Sequence, residues 1–543
     1  MAEAVSEVTE AVEAVEAVEA VEAVEAVEAA SSATVDADSS TTPAEANRVR
    51  PQPKSLDEAL KIITQKAGEA VENALAPEYV AKVVAPYYYS FPSYYTRLPS
   101  EDFIQIDQSS LHQRLTQELQ IEVHDAKLAA FIARKLILVI QDNHWVDSIT
   151  EAAGFRKGAY ISPAGQRILV RSQAMHPQPV AGEWPLLGQF FDDMFGAEQS
   201  EFLLGALSVF ARHLHSLLDG TKSPWERQPM AAIVLTGPPG GGKTLLLSFI
   251  TTLFGGRSAN PFPYFSGRTS FNGELVAAEV LAVDDETGAT DNRTRAKIAS
   301  MLKAHLFAQA ARIEAKYKGG VSMPIHSILA FSLNENPSAL MALPIIEESI
   351  MDKISLFKAS PRPGGFPIAK AEKEALIGGM KEEIPMLLHY LLHEHQIRPE
   401  LANDRTGIKT FHHPEVMAAL SDLSPETETL EMILTAFYTK FINKLTDTPE
   451  ETVKVWSGKG HAMHAILESS VSVSKHRLRQ LFTSKSDMGN RLYEISKSHP
   501  RVIRRSTSHS QGCRTYELWL SQKDFTEILP ELADRGREEP QAD

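Results

Sequence analysis

Ala231-Ala232-Ile233-Val234-Leu235-Thr236 runs straight into Gly237-Pro238-Pro239-Gly240-Gly241-Gly242-Lys243-Thr244, and the apolar stretch Leu245 to Phe254 follows. The first segment is short, apolar and partly β-branched, the pattern of a strand buried on both faces of a parallel sheet. The second satisfies G-x-x-x-x-G-K-[ST]. The third predicts a helix. Glycines let backbone N–H groups converge on phosphate oxygens without Cβ clashes, and the helix N-terminus adds positive potential. Gly237 to Gly242 are therefore expected to cradle the phosphates of ATP. Lys243 is expected to pair with the β- and γ-phosphates and Thr244 to ligate Mg²⁺.

Two further segments fit the same sheet. Val280-Leu281-Ala282-Val283 predicts a second buried strand, ending in Asp284-Asp285-Glu286. Strand ends of a parallel sheet face the ligand crevice, so Asp284 is a candidate for holding Mg²⁺. Asp285 is the candidate for polarising the attacking water, with Glu286 as its substitute. Ser327 to Leu333 predicts a third strand, and Asn334, three residues before Pro337, can hold the water against the γ-phosphate. Strands alternating with helices predict an α/β domain over 220–365.

The order and spacing of these three motifs resemble superfamily 3 helicases, and most closely the helicase part of phage, plasmid and poxvirus primase-helicases. The resemblance covers about residues 85–525. It implies a P-loop, AAA+-like α/β core with a parallel sheet, preceded by an α+β domain and followed by a helical segment and a winged helix. It also implies a ring, a homo-hexamer, with ATP sites between subunits. Arg312 to Gly320 resembles the hairpin that reaches into the ring channel, which assigns Lys316 and Lys318 to the DNA backbone. One position departs from the family. Where an arginine reaches into the neighbouring site, this chain has Lys353, a point charge without the planar fork. Lys353 substitutes, or Arg362 or another arginine takes the task, or hydrolysis is weak.

Charge is distributed unevenly along the 543 residues. Residues 1–50 carry 12 acidic and 2 basic side chains, and 10–28 repeat Glu-Ala-Val with period three. That period drifts around a 3.6-residue helix, so 1–53 read as a disordered acidic tail. Residues 54–219 read as an N-terminal α+β or helical domain. Within it, Ser55 to Ala76 predicts an amphipathic helix, with Pro77 as a stop. The Tyr-rich stretch Pro86 to Pro99 reads as packed irregular backbone, and Ser110 to Gln141 as helix. Gly154 to Arg171 reads as a hairpin, and 190–218 as two helices, the second from Ser200.

Residues 366–450 read as helical, and 526–543 as a tail. Residues 451–525 form a basic module, with ten Lys or Arg against two acids over 471–516. Helix, helix and a basic hairpin predict a winged helix, with a recognition helix in the major groove and a wing on phosphates. Arg491 and Lys497 are expected on the recognition helix, and Arg504, Arg505 and Arg514 on the wing.

The single cysteine, Cys513, excludes a disulfide framework and cysteine-based metal centres. No apolar run approaches transmembrane length and no secretory signal is evident, so a cytosolic protein without membrane partners is expected. The expected activity is an ATP-dependent DNA helicase or translocase of phage or mobile-element replication. No Asp-x-Asp pair lies on a convincing strand to mark a primase half, so a separate primase or polymerase partner is expected. Two other classes stay open. One is an initiator or loader that uses ATP as an assembly switch. The other is a protein-remodelling ATPase.

Overall fold

The computed structural model describes residues 77–97, 102–285, 291–313, 321–363, 365–366, 369–442, 451–482, 487–506 and 514–528. They form two compact units. One holds the described residues up to Ile149 together with Gln166–Arg171, and the other holds Thr150–Gly165 and the described residues from Ser172 onward.

In the first unit, α1 (Pro77–Val84) leads into an antiparallel sheet of β1 (Tyr87–Ser90), β2 (Ser93–Arg97) and β3 (Phe103–Ile106). The Tyr-rich stretch is thus regular strand, not irregular backbone. Aromatic side chains suit a half-buried pleated surface, and Tyr87, Tyr94 and Tyr95 are buried. The helical stretch expected over 110–141 is present as two helices, α2 (Gln108–Val123) and α3 (Ala126–Asn143). His124, at φ 57°, reverses the chain. Asp125 then caps α3 by accepting from the N–H groups of Lys127 and Leu128. Leu111, Leu115 and Leu119 repeat at i,i+4 and face the core with Ile132, Leu136 and Ile140.

The second unit begins its core with α4 (Pro185–Leu218), which comprises the two expected helices joined across a kink at Gly196, where φ 64° and ψ 179° are non-helical. Then come β4 (Ala232–Thr236), α5 (Lys243–Leu253), β5 (Ser258–Ala259), β6 (Val280–Asp284) and α6 (Asn292–Phe307). A hairpin of β7 (Ala311–Ile313) and β8 (Val321–Met323) precedes β9 (Ile328–Leu333) and β10 (Ile354–Lys358). The sheet order is β10-β4-β9-β6-β5, all parallel. Its side chains alternate between two apolar layers. Ile233, Leu235, Ala330 and Phe357 pack with α4 and α5. Ala232, Val234, Phe331 and Leu356 pack with α6 and with Phe262 and Phe265. Burial on both faces is why these strands read as continuous apolar runs.

The division at residue 219 does not match this packing. Leu187, Phe190, Leu203, Leu207 and Phe210 of α4 share one core with the sheet.

Beyond the sheet lie helices including α7 (Lys370–Glu382), α8 (Pro414–Asp422) and α9 (Pro425–Ile442). Pro425 opens α9, and the Ser424 hydroxyl accepts from Thr427 N–H. The basic module contains β11 (Val453–Gly458), α10 (Gly460–Ser469), α11 (Lys475–Leu481), α12 (Asp487–Ser498), β12 (Ile503–Arg505) and β13 (Tyr516–Leu520). The three strands form an antiparallel sheet of order β11-β13-β12. Strand β11 is not among the expected elements. The helix expected over 55–76, Glu286, Lys316, Lys318 and Cys513 lie outside the described residues. No described helix is long and apolar enough to cross a membrane.

Candidate nucleotide site at the sheet edge

Strand β4 ends at Thr236, and the chain turns through 237–242 before α5 starts at Lys243. Gly242 sits at φ 95°, where any other residue is strained. A Cβ there would also meet the rings of Phe190 and Phe366 at 3.1 and 3.3 Å. A Cβ on Gly237 would run into the Ala359 carbonyl. The loop is therefore bounded by β10's exit and by two aromatic rings, as well as by its own helix.

Lys243 is 5% exposed. Its ammonium donates to the carbonyls of Gly237 at 2.9 Å and Pro238 at 2.8 Å, and reaches Asn334 Oδ1 at 3.4 Å. Burial pulls its pKa below the ordinary lysine value, opposed by the negative charges of Asp285, Glu335 and Asp284. A desolvated cation held inside a glycine loop is a receptor for an anion.

The acidic and amide residues come from neighbouring strands. β6 and β9 pair in parallel with Asp284 opposite Ser332. Asp285, at φ 49°, leaves the strand and still donates its N–H to the Ser332 carbonyl at 3.1 Å. Its Oδ1 accepts from Asn334 Nδ2 at 3.1 Å. Thr244 Oγ1 donates to Asp284 Oδ1 at 3.0 Å. Five residues read from the sequence, Lys243, Thr244, Asp284, Asp285 and Asn334, thus meet at one edge of the sheet. The hydroxyl and carboxylate of Thr244 and Asp284 are hard oxygen donors side by side, which fits Mg²⁺.

Lys353 is not brought to this edge of its own chain. It precedes β10, which pairs in parallel with β4, and its carbonyl accepts from Ala232 N–H at the start of β4. Five strand residues, about 17 Å, separate it from the loop. Its ammonium pairs with Asp352 and lies 5.1 Å from the Phe307 ring centroid. Arg362 is at the loop's own edge instead. It pairs with Asp193 at 3.3 Å and lies over Phe366, the ring that packs on Gly242. Sequence reading missed Gln199 of α4. Its amide accepts from Lys358 N–H at 2.8 Å and donates to Lys358 O at 3.1 Å, fixing the end of β10. No local signal marks that residue, because its partner lies 159 positions away.

In the basic module the expected contacts divide. Arg504, Arg505, Arg514 and Lys497 are exposed. Arg504 stacks on Trp519 at 4.5 Å, and Lys497, Arg505 and Arg514 surround Tyr493 at 4.4, 4.9 and 4.6 Å. Aromatic rings beneath exposed cations restrain those side chains at the surface. Arg491 departs from this set. It is ion-paired with Glu426 of α9, so its charge is satisfied inside the protein. The reason is its position on α12's inner side, next to buried Leu492 and Met488.

Residues 235–346 match the model of a family of unknown function, DUF5906. No curated protein matches the sequence. Among solved structures, the chain is similar to the apo C-terminal region of NrS-1, at 12% identity over 81% of this chain and 98% of that one, with a TM-score of 0.47. It is also similar to Cch of SCCmec type IV, described as an active helicase, at 10% identity over 81% and 92% with a TM-score of 0.37. A third is the JCV helicase, at 14% identity over 46% and 70% with a TM-score of 0.20.

Proposed function

We propose that the chain is an ATP-hydrolysing DNA helicase or translocase of the superfamily 3 type, of the kind used in phage or mobile-element replication. The observation that carries the reading is the linkage of Lys243, Asn334 and Asp285 at the tips of three adjacent strands, beside Thr244 and Asp284. ATP would lay its phosphates in the loop 237–242, with Lys243 on the β- and γ-phosphates. Thr244 and Asp284 would hold Mg²⁺, which when bound neutralises phosphate charge.

Hydrolysis then needs a water in line with the γ-phosphorus. Asp285 accepts the proton of that water as its oxygen bonds to phosphorus. The bond from phosphorus to the β,γ-bridging oxygen breaks, and ADP takes the electron pair. Asn334 holds Asp285 and offers a carbonyl oxygen to Lys243, so base and cation are aligned together. Positioning and charge stabilisation of this kind carry most of phosphoryl-transfer catalysis.

Lys353 sits on the far edge of the sheet, so its use in hydrolysis requires a second copy. That supports a ring, hexameric by the resemblance, with ATP sites between subunits. Lys316 and Lys318, which follow β7 and precede β8 in the sequence, would follow one DNA strand. The basic module would act as a winged helix on duplex phosphates through Lys497, Arg504, Arg505 and Arg514. A separate primase or polymerase would supply synthesis.

A second reading, an ATP-switched initiator without unwinding, is favoured by Lys353 alone, because an ammonium paired with Asp352 is a poor substitute for a guanidinium. ATPase rates with and without single-stranded DNA, for wild type and Lys243→Ala, test the choice. Stimulation lost in Lys243→Ala supports the motor. Hydrolysis indifferent to DNA overturns it in favour of the switch.

A further inference from the structure

A second cavity, of about 560 Å³, opens at the root of the β7–β8 hairpin. It lies away from the phosphate loop. None of residues 237–244 lines it; helix α6 contributes Lys297, Met301, Ala304 and His305, and the chain that follows the helix contributes residues up to Arg312. Three cationic side chains line it, Arg268, Lys297 and Arg312, and no acidic residue does. All three residues are exposed, and none forms an ion pair among the described residues.

The interior is mostly apolar, with Tyr264 and His305 as its rings. His305 is buried, and its Nε2 has no hydrogen-bond partner. A buried polar atom left unpaired is destabilising, so a ligand that pairs with it recovers stability. Burial pushes the His305 pKa down to about 3, helped by the charge of Arg227. The ring is therefore neutral at pH 7 and presents one hydrogen-bonding nitrogen without adding charge. Asn272 fixes the hairpin to this wall by donating to the Arg312 carbonyl at 2.8 Å.

A cationic rim over an apolar, aromatic interior with one polar atom at depth fits an anion that carries a flat heterocycle. We propose that this cavity is a second nucleotide-binding site, taking one nucleoside monophosphate unit with its phosphate on Arg268, Lys297 and Arg312 and its base beside Tyr264 and His305. The unit comes either from free nucleotide or from a single strand followed by the hairpin, since Arg312 belongs to β7 itself. The strand source rests on the DNA reading above, whereas the free-nucleotide source does not.

The test uses the full chain carrying Lys243→Ala, which removes competition from the phosphate loop. Titration calorimetry with dTMP probes free nucleotide, and fluorescence anisotropy with labelled oligo-dT probes the strand. Each is repeated with Arg268→Ala/Lys297→Ala and, separately, with Arg312→Glu, which changes an exposed residue and keeps the test valid if the double variant fails to fold. The expected result is a loss of about tenfold or more in affinity for at least one probe. Loss for dTMP assigns free nucleotide, and loss for oligo-dT alone assigns a unit within a strand. Affinities within about twofold for both probes, or no binding of either, overturn the site. Unchanged oligo-dT binding without dTMP binding sinks the site and leaves the motor reading intact. dTMP binding lost in the variants, with no oligo-dT binding by any form, keeps the site and sinks the DNA reading.

Discussion

Asn334 and Asp285 are joined by a 3.1 Å hydrogen bond across the tips of adjacent parallel strands, although 49 residues separate them. The same amide side chain contacts Lys243 through its oxygen at 3.4 Å. In the proposed hydrolysis, base and phosphate-binding cation would thus be set by one residue. Asp285→Asn and Asn334→Ala should each lower kcat by about 10²–10³, while ATP still binds. Steady-state kinetics with a separate nucleotide-binding titration check this, and parallel losses of binding and turnover would show that the pair shapes the pocket instead.

The Lys243 ammonium is buried without a full counter-ion, so the fold itself gains little from it. Lys243→Met should melt at or above the wild-type temperature without nucleotide, because an apolar side chain removes a desolvated charge. Stabilisation by ATP, about 2.7 kcal/mol at a hundredfold excess over Kd, should vanish. Thermal melts with and without Mg²⁺-ATP read both effects. A large fall in the nucleotide-free melting temperature would mean that the bonds to Gly237 and Pro238 hold the loop together.

The stacked arginines of the basic module and Arg491 should behave oppositely. Arg504→Ala/Arg505→Ala/Arg514→Ala should weaken duplex DNA binding and reduce the slope of log K against log salt by roughly 0.9 for each phosphate no longer neutralised. Arg491→Ala should leave that slope alone and cost roughly 1–3 kcal/mol in stability, since Glu426 loses its half-buried partner. Salt titrations of DNA affinity and chemical denaturation of both variants distinguish the two outcomes.

A buried histidine pair sets an acid limit. His326 Nε2 donates to the Pro224 carbonyl at 2.8 Å, which leaves His326 Nδ1 to accept from His213 Nε2 at 3.2 Å. Burial pushes His213 down to about 3 and His326 to about 4. The unfolded chain, with ordinary histidines near 6.5, binds protons first as pH falls. Stability is therefore complete above about pH 6.5 and is lost progressively as pH falls to about 4 for His326 and about 3 for His213, by on the order of 1–3 kcal/mol for each group. Melting temperature against pH should show this slope, and His213→Leu should make it shallower without abolishing it, since His326, His305 and His176 are depressed as well. A slope unchanged in that variant would assign the acid sensitivity to other groups.

The phosphate loop and the strand before it were legible in the sequence because their information is local. A glycine-rich turn, a lysine and a hydroxyl residue at fixed spacing can be read without knowing where the rest of the chain lies, and so can apolar runs too short for anything but buried strands. Asp284, Asp285 and Asn334 were legible for the same reason, as polar residues at the ends of such runs. What the sequence did not contain was distance. That Asn334 bonds Asp285, that Phe190 and Phe366 flank Gly242, and that Gln199 pins β10 depend on strand order and helix packing, which bring together residues up to 176 positions apart. Lys353 and Arg491 show the limit from the other side. Both carry the expected charge, but parallel pairing puts one on the far edge of the sheet, and the amphipathic face of α12 turns the other to Glu426. Side-chain type is written in one dimension, whereas the partner that decides what a charge can do is chosen by the fold.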